Sequence, residues 1–255
     1  MKPLLTLENV DYFYNTLTGE THALKNVSFD VANQEFLGII GPSGSGKSTI
    51  LSLIYGLLTP SSGSITINAV SNDDAPVFGY MLQKDHLFEW RSIYKNVTLG
   101  LEIHHKLSPE KTDFVNHLLE EYGLYAFKDA KPSQLSGGMR QRAALIRTLA
   151  LSPQILLLDE PFSALDSQTR LSVSEDIYKI LRKEKKSAIL VTHDISEAIS
   201  FCDRIIVLSN RPGTPKKQVS VNLSIPEKTP LLARSAPEFK DYFNELWGEL
   251  HVGTN

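Results

Sequence analysis

The chain has 255 residues, 42% of them hydrophobic, enough apolar material for one large domain with a smaller lobe and no covalent staples. A formal net charge of −3 excludes the basic field that a nucleic-acid partner requires, and a single cysteine, Cys202, excludes an intrachain disulfide and suits a reducing cytoplasm. No apolar run reaches the ~20 residues of a membrane helix, and "MKPLLTLENV" is too short in apolar residues for a secretion signal, so any membrane role is expected to come through a partner.

The first third is predicted to be β-rich. "LTLENV", "NVSFDV" and "GSITIN" alternate or are β-branched, with turn residues between them. "DYFYN" closes the first strand with three aromatics. Tyr14 could stack on an adenine, a contact worth about 1–3 kcal/mol, whereas simple packing on neighbours would serve Tyr12 and Phe13 equally well.

"EFLGIIG" reads as a buried strand running into "GPSGSGKST", and residues 41–48 fit the phosphate-loop pattern G-x-x-x-x-G-K-[ST] between strand and helix. The backbone of Gly41, Ser43, Gly44, Ser45 and Gly46, continued by the helix start through Thr49, would wrap a polyphosphate. The helix dipole would favour its charge. Lys47 would reach the β- and γ-phosphates and Ser48 would ligate Mg²⁺. A loop that merely turns the chain is the simpler alternative, but it has no need of Lys-Ser at this offset. After it, "KSTILSLIYGLL" is expected to place Ile50, Leu51, Ile54, Leu57 and Leu58 on one helical face and to stop at Pro60.

A helical stretch follows, over about residues 85–135, preceded by Gln83. Its clearest helix opens with Ser108 as N-cap and Pro109 in the first helical position. Phe114, Val115, Leu118, Leu119 and Tyr122 form its apolar stripe, and Gly123 suits the left-handed position after the last turn. In "LSGGMRQR", Ser136 is a good N-cap, and Gly137 and Gly138 leave the first turn bare. That builds a second anion site. Glycines in a helix cost up to ~1 kcal/mol each, a cost that close approach to a ligand would explain, although an ordinary capped helix remains the alternative.

From there the pattern alternates between strand and helix, with "QILLLD", "SAILVTH" and "RIIVLS" as strands, which predicts a parallel sheet with covering helices. Asp159 ends the first of these strands and is placed to hold Mg²⁺ through water; Glu160 follows as a general base, worth roughly 10²–10⁴ in rate. His193 ends the next strand and could hydrogen-bond a γ-phosphate or serve only structure. Asp194 with Glu197 forms a capping box for the helix after it. Past Arg211 the chain changes character, and residues 212–255 read as an extension: a turn-rich basic connector, "RPGTPKKQ" counted from Arg211, leads to a weak strand and a last helix, "PEFKDYFNELWGEL".

Taken together these motifs resemble an ATP-binding-cassette ATPase. "GPSGSGKST" is similar to its Walker A motif, Gln83 to the Q-loop, "LSGGMRQR" to the signature, "ILLLDEP" to Walker B, "SALD" to the D-loop and His193 to the switch histidine, over about residues 4–209. The resemblance implies an α/β P-loop NTPase core with a mostly parallel sheet, an N-terminal antiparallel β subdomain and an inserted α-helical subdomain, the cassette spanning residues 1–211. It implies ATP and Mg²⁺ as cofactors, with Ser48, Gln83 and Asp159 around the metal. It also implies a head-to-tail dimer in which Ser136, Gly137, Gly138 and Asp166 face the nucleotide of the second copy.

"LFEWRSIYKNVTLGLEI" and "DRIIVLSNRPGTP" are similar to the importer branch for nitrate, sulfonates, taurine and pyrimidine precursors of thiamine. The implied partners are two transmembrane permease subunits and an extracytoplasmic substrate-binding protein, at the cytoplasmic face of a bacterial membrane, with no nucleic acid. Phe88 and Trp90 would line the permease-docking groove, or else belong to the core of the helical lobe. The alternative reading is a soluble cassette ATPase of repair, translation or cofactor assembly, but repair members carry a long inserted coiled coil and translation members usually carry two cassettes.

Overall fold

A computed structural model describes residues 2–16, 19–69 and 77–251; residues 252–255, the end of the expected extension, lie outside the described residues. In chain order the elements are β1 (Leu5–Thr16), β2 (Gly19–Val31), β3 (Phe36–Ile40), α1 (Lys47–Tyr55), β4 (Ser62–Ile67), β5 (Phe78–Met81), α2 (Ile93–Val97), α3 (Leu99–Ile103) and α4 (Pro109–Glu121). They continue as α5 (Gly137–Leu149), β6 (Ile155–Asp159), α6 (Ser167–Lys183), β7 (Ser187–Thr192), α7 (Ile195–Phe201), β8 (Arg204–Leu208), β9 (Pro215–Ser220), α8 (Pro230–Ala233) and α9 (Phe239–His251). The chain divides into two compact units, one of Met1–Val70 with Leu181–Asn255 and the other of Ser71–Ile180.

In the first unit, β1 pairs antiparallel with β2 on one side and β4 on the other. A second group is parallel: β3 lies between β7 and β8, and β9 adds antiparallel to β8. Every residue of β3 and of β7 is buried, as befits parallel strands covered on both faces. Phe36 at the start of β3 stacks on Phe201 of α7, with centroids 5.3 Å apart, and the Arg182 guanidinium lies 3.8 Å from the Phe36 ring centre. Arg182 also bonds the Asp203 carboxylate at 2.5 Å, so its charge is paired while its plane packs on an aromatic face. Helix α9 packs on α7 and β8, with Leu246 fully buried.

Two expectations are corrected here. Helix α1 ends at Tyr55, not near Pro60, because Gly56 takes a left-handed conformation (φ 84) and its amide bonds back to Leu53. That turn throws Leu57 outward to 64% exposure, and the buried face is made by Ile50, Leu51, Leu53 and Ile54. The capping box of α7 is only half formed. Asp194 accepts from the Glu197 amide at 3.1 Å, but the Glu197 carboxylate accepts from the Thr192 hydroxyl at 2.6 Å, and the Asp194 amide donates to that same hydroxyl oxygen at 3.0 Å. Thr192, the last residue of β7, outcompetes the reciprocal bond because its hydroxyl is within reach of both.

In the second unit, β5 and β6 are parallel, with Met81 opposite Leu158. Helix α5 lies against β5, α2, α3 and α4. A Cβ on Gly79 would come within 2.5 Å of Thr148, so only glycine lets α5 approach β5 this closely. Helix α4 begins as expected, with the Ser108 hydroxyl accepting from the Lys111 amide, and Gly123 follows it at φ 68. Val115, Leu118, Leu119 and Tyr122 are buried, while Phe114 is half-buried. Asn96 is fully buried, and its amide group bonds the backbone of Phe88, Arg91 and Ser92, which fixes the segment before α2.

The corrected end of α1 has a measurable consequence. Ile54→Ala is expected to cost about 2–5 kcal/mol in urea unfolding, whereas Leu57→Ala should stay within about 0.5 kcal/mol of the parent. Equal losses would mean that Leu57 is a core residue after all.

Candidate functional site

Strand β3 delivers the chain to Gly41 at its C-terminal end, where α/β proteins bind ligands. The loop then turns through Gly44 (φ 77) and Gly46 (φ 91), both left-handed, which only glycine adopts without strain. Gly46 is the N-cap of α1 and offers no side chain, and the first turn holds no acidic residue. The helix start is therefore set for an external anion. Lys47 is only 7% exposed, and its Nζ donates to the carbonyl oxygens of Gly41 and Pro42, both at 2.9 Å. Ser45 Oγ is buried and has no hydrogen-bond partner among the described residues. An uncapped helix start, a buried ammonium and an orphaned hydroxyl in one loop all fit a polyphosphate.

The three aromatics at the end of β1 separate clearly. Tyr14 is 39% exposed, and its hydroxyl is hydrogen-bonded to the Thr49 hydroxyl at 3.0 Å, which anchors it beside the loop. Tyr12 meets the Tyr14 ring edge-on at 4.8 Å, and Phe13 stacks on His22 at 4.0 Å. His193 leaves β7 directly after Thr192, which is aligned with Ile40 of β3. It therefore emerges, exposed, at the same end of the parallel strands as Gly41.

The second unit brings together Gln83, Asp159 and Glu160. The Met81–Leu158 register places all three at one end of β5 and β6. Asp159 is buried, and the Tyr80 hydroxyl donates to its Oδ2 at 3.4 Å. Gln83 Nε2 donates to Glu160 Oε2 at 3.3 Å and lies 3.4 Å from Ser163 Oγ. Glu160 has φ 46. A residue with a side chain pays about 1–2 kcal/mol for that conformation, and strain of this kind concentrates at functional positions.

Ser136 caps α5 as predicted, its exposed hydroxyl accepting from the Met139 amide at 3.3 Å. The explanation for the glycines changes. A Cβ on Gly138 would lie 3.0 Å from Val173 and 3.1 Å from Thr169, and one on Gly137 would lie 3.2 Å from Leu165. Close packing within the protein thus accounts for Gly138, whatever else the helix start binds. Asp166 caps α6, its Oδ1 accepting from the Gln168 and Thr169 amides at 3.2 and 3.1 Å. The bond from the Thr169 side chain, then those from the backbone, hold its carboxyl below the usual carboxylate range.

One set of contacts was not legible in the sequence. Arg140 and Arg147 of α5 grip the segment after Gln83: Arg140 pairs with the Asp85 carboxylate at 3.1 Å, and Arg147 donates to the carbonyls of Asp85 and His86. Their seven-residue spacing marks one helix face, but nothing in it names a partner 55–62 residues away. Just beyond, Trp90 is 72% exposed and packs on Phe88 at 4.8 Å, so the lobe-core alternative does not hold for Trp90.

A strand, a glycine loop around a buried lysine and a helix with an open N-terminus define a P-loop nucleotide-binding fold. Residues 24–163 match the family model described as ABC transporter. The chain belongs to the ABC transporter family and is an ATPase of that family. It is 44% identical to the uncharacterized ABC transporter ATP-binding protein YtlC of Bacillus subtilis, covering 97% of this chain and 95% of that one. It is 40% identical to the nitrate import ATP-binding protein NrtD of Synechocystis, covering 89% of this chain and 88% of the relative. Among solved structures it resembles a dimeric ATP-binding cassette in a post-hydrolysis state bound to ADP and Pi, with a TM-score of 0.72, 33% identity, and coverage of 86% of this chain and 99% of that one.

The packing at Gly138 predicts a compensating pair. Gly138→Val should lower stability by about 1–3 kcal/mol through overpacking, and Val173→Ala in the same chain should recover a measurable part of the loss in a double-mutant cycle. Simple additivity of the two losses would show that the glycine is not there for Val173.

Proposed function

We propose that the chain is the ATP-hydrolysing, energy-coupling subunit of a bacterial importer. It works as a head-to-tail homodimer at the cytoplasmic face of the membrane, beneath two transmembrane permease subunits supplied by an extracytoplasmic binding protein. The observation that carries the reading is the second helix start at Ser136. One phosphate loop suffices to hold one nucleotide, so an additional exposed anion-binding turn finds its use on the nucleotide of a second copy. Similarity to a cassette solved as a dimer with ADP and Pi supports this. Similarity to a nitrate import protein over most of both chains supports import of a small solute of the nitrate, sulfonate, taurine or pyrimidine-precursor type.

In this reading Tyr14 stacks on adenine, the backbone of 41–46 with Thr49 wraps the phosphates, and Lys47 neutralises the β- and γ-groups. Ser136, Gly137, Gly138 and Asp166 of one copy close over the nucleotide of the other. Ser48, Gln83 and Asp159, with phosphate oxygens, would hold Mg²⁺; a magnesium site with a single carboxylate and nucleotide oxygens is usual, and the ion spreads the charge of the phosphoryl group. Glu160 takes the proton of the attacking water, whose oxygen bonds the γ-phosphorus as the bond to the β–γ bridging oxygen breaks. His193 donates to the γ-phosphate oxygens. The exposed Trp90 and Phe88 offer the permease an aromatic anchor of the kind that dominates interfaces.

Glu160→Gln should still bind MgATP and form an ATP-dependent dimer in gel filtration, with phosphate release down by roughly 10²-fold or more. Release at the parental rate would contradict its role as base. Trp90→Ala should leave the isolated subunit folded and hydrolytically competent but abolish its co-purification with membrane subunits; unchanged co-purification would place the docking surface elsewhere.

A further inference from the structure

Strand β8 ends at Leu208, and residues 209–214 lead from it into β9. This strap runs along the phosphate loop in step with it. A Cβ on Gly41 would lie 3.0 Å from the Leu208 Cβ, and one on Gly44 would lie 2.9 Å from Arg211 Nη2. One on Gly213 would lie only 1.9 Å from the Ser45 carbonyl oxygen. Arg211 Nε also donates to the Gly44 carbonyl at 3.3 Å. The contacts at Gly44 and Ser45 are made to peptide oxygens of the loop, not to the amide hydrogens that a phosphate would use.

The strap is itself held firmly. The Ser209 amide donates to Thr214 O at 2.9 Å, and the Thr214 amide donates to Ser209 Oγ at 3.0 Å. Gly213 is pinned to β2 from both sides, donating to Ala23 O at 2.9 Å and accepting from the Lys25 amide at 3.0 Å. Arg211, by contrast, is exposed and has no carboxylate partner among the described residues. Its charge is directed at the loop backbone.

We propose that residues 209–214 are a positioning element for the phosphate loop, with Arg211 and Gly213 as its two positioning residues. A cation on the carbonyl of a peptide polarises that peptide and strengthens hydrogen bonds along the same backbone. A loop braced before binding loses less freedom when the ligand arrives. Gly213 does the complementary work by its lack of a side chain, since any Cβ there would push the Ser45 carbonyl out of place. The proposal rests on the reading of residues 41–48 as the nucleotide loop.

The test measures MgADP affinity by calorimetry and steady-state phosphate release against ATP concentration, on full-length parent, Lys47→Ala, Arg211→Ala, Arg211→Lys and Gly213→Ala. Arg211→Ala should weaken MgADP binding about fivefold, the equivalent of ~1 kcal/mol. The loss should fall on KM and not on kcat, with the unfolding temperature of the nucleotide-free protein unchanged. Arg211→Lys, which keeps a donor and a charge, should recover part of the affinity, and Gly213→Ala should weaken binding further. Parental affinity in Arg211→Ala beside a Lys47→Ala variant that no longer binds would overturn the proposal, as would a loss confined to kcat. Parental affinity in Lys47→Ala would remove the nucleotide-loop reading itself, and the proposal with it.

Discussion

Lys47 carries an ammonium group into a position only 7% exposed, where a charge is costly unless hydrogen bonds replace its water. The loop supplies them by curling back, so that the carbonyls of Gly41 and Pro42 accept from Nζ. That curl needs left-handed backbone at Gly44 and Gly46. It also needs a fixed base, which the fully buried β3 provides between β7 and β8. A Cβ at Gly46 would come within 2.5 Å of the Leu24 side chain, so β2 closes the loop from another side. The cradle is thus a property of the whole unit.

The same economy holds in the second unit. Asp159 ends one strand, Glu160 follows it directly and Gln83 follows its parallel neighbour, so a register of a few residues is enough to gather the three polar groups. Glu160 pays for its position with a strained backbone. Ser136 opens α5 and Asp166 caps α6, and Gly138 allows the close packing at Thr169 and Val173. One glycine can serve that packing and still leave the turn bare for a ligand.

Much of this was legible in the sequence where the signal is local. The offset between Gly41 and Lys47, the apolar run before Asp159 and the caps at Ser108 and Ser136 each state their own geometry. What failed was decided by neighbours that sequence spacing does not name. Gly56 ended α1 early because a left-handed glycine outweighs apolar periodicity, and Leu57 went to solvent. Glu197 turned from Asp194 to Thr192 because a strand-end hydroxyl was closer. Arg211 and Gly213 read as a turn and as part of a branch-like stretch, but not as a brace for the phosphate loop, since their contacts with Gly44 and Ser45 join residues 167 or more positions apart.

The central claim is that each nucleotide lies between the phosphate loop of one copy and the Ser136 helix start of another. It is tested most directly by mixing two inactive variants, Lys47→Ala and Ser136→Arg, and measuring phosphate release across mixing ratios, with differential tags to confirm heterodimers. A heterodimer contains one site broken on both sides and one site intact on both sides. A composite site predicts activity in the mixture that neither variant has alone, greatest near equal proportions. Confirmed heterodimers that release phosphate no faster than the two parents would contradict it.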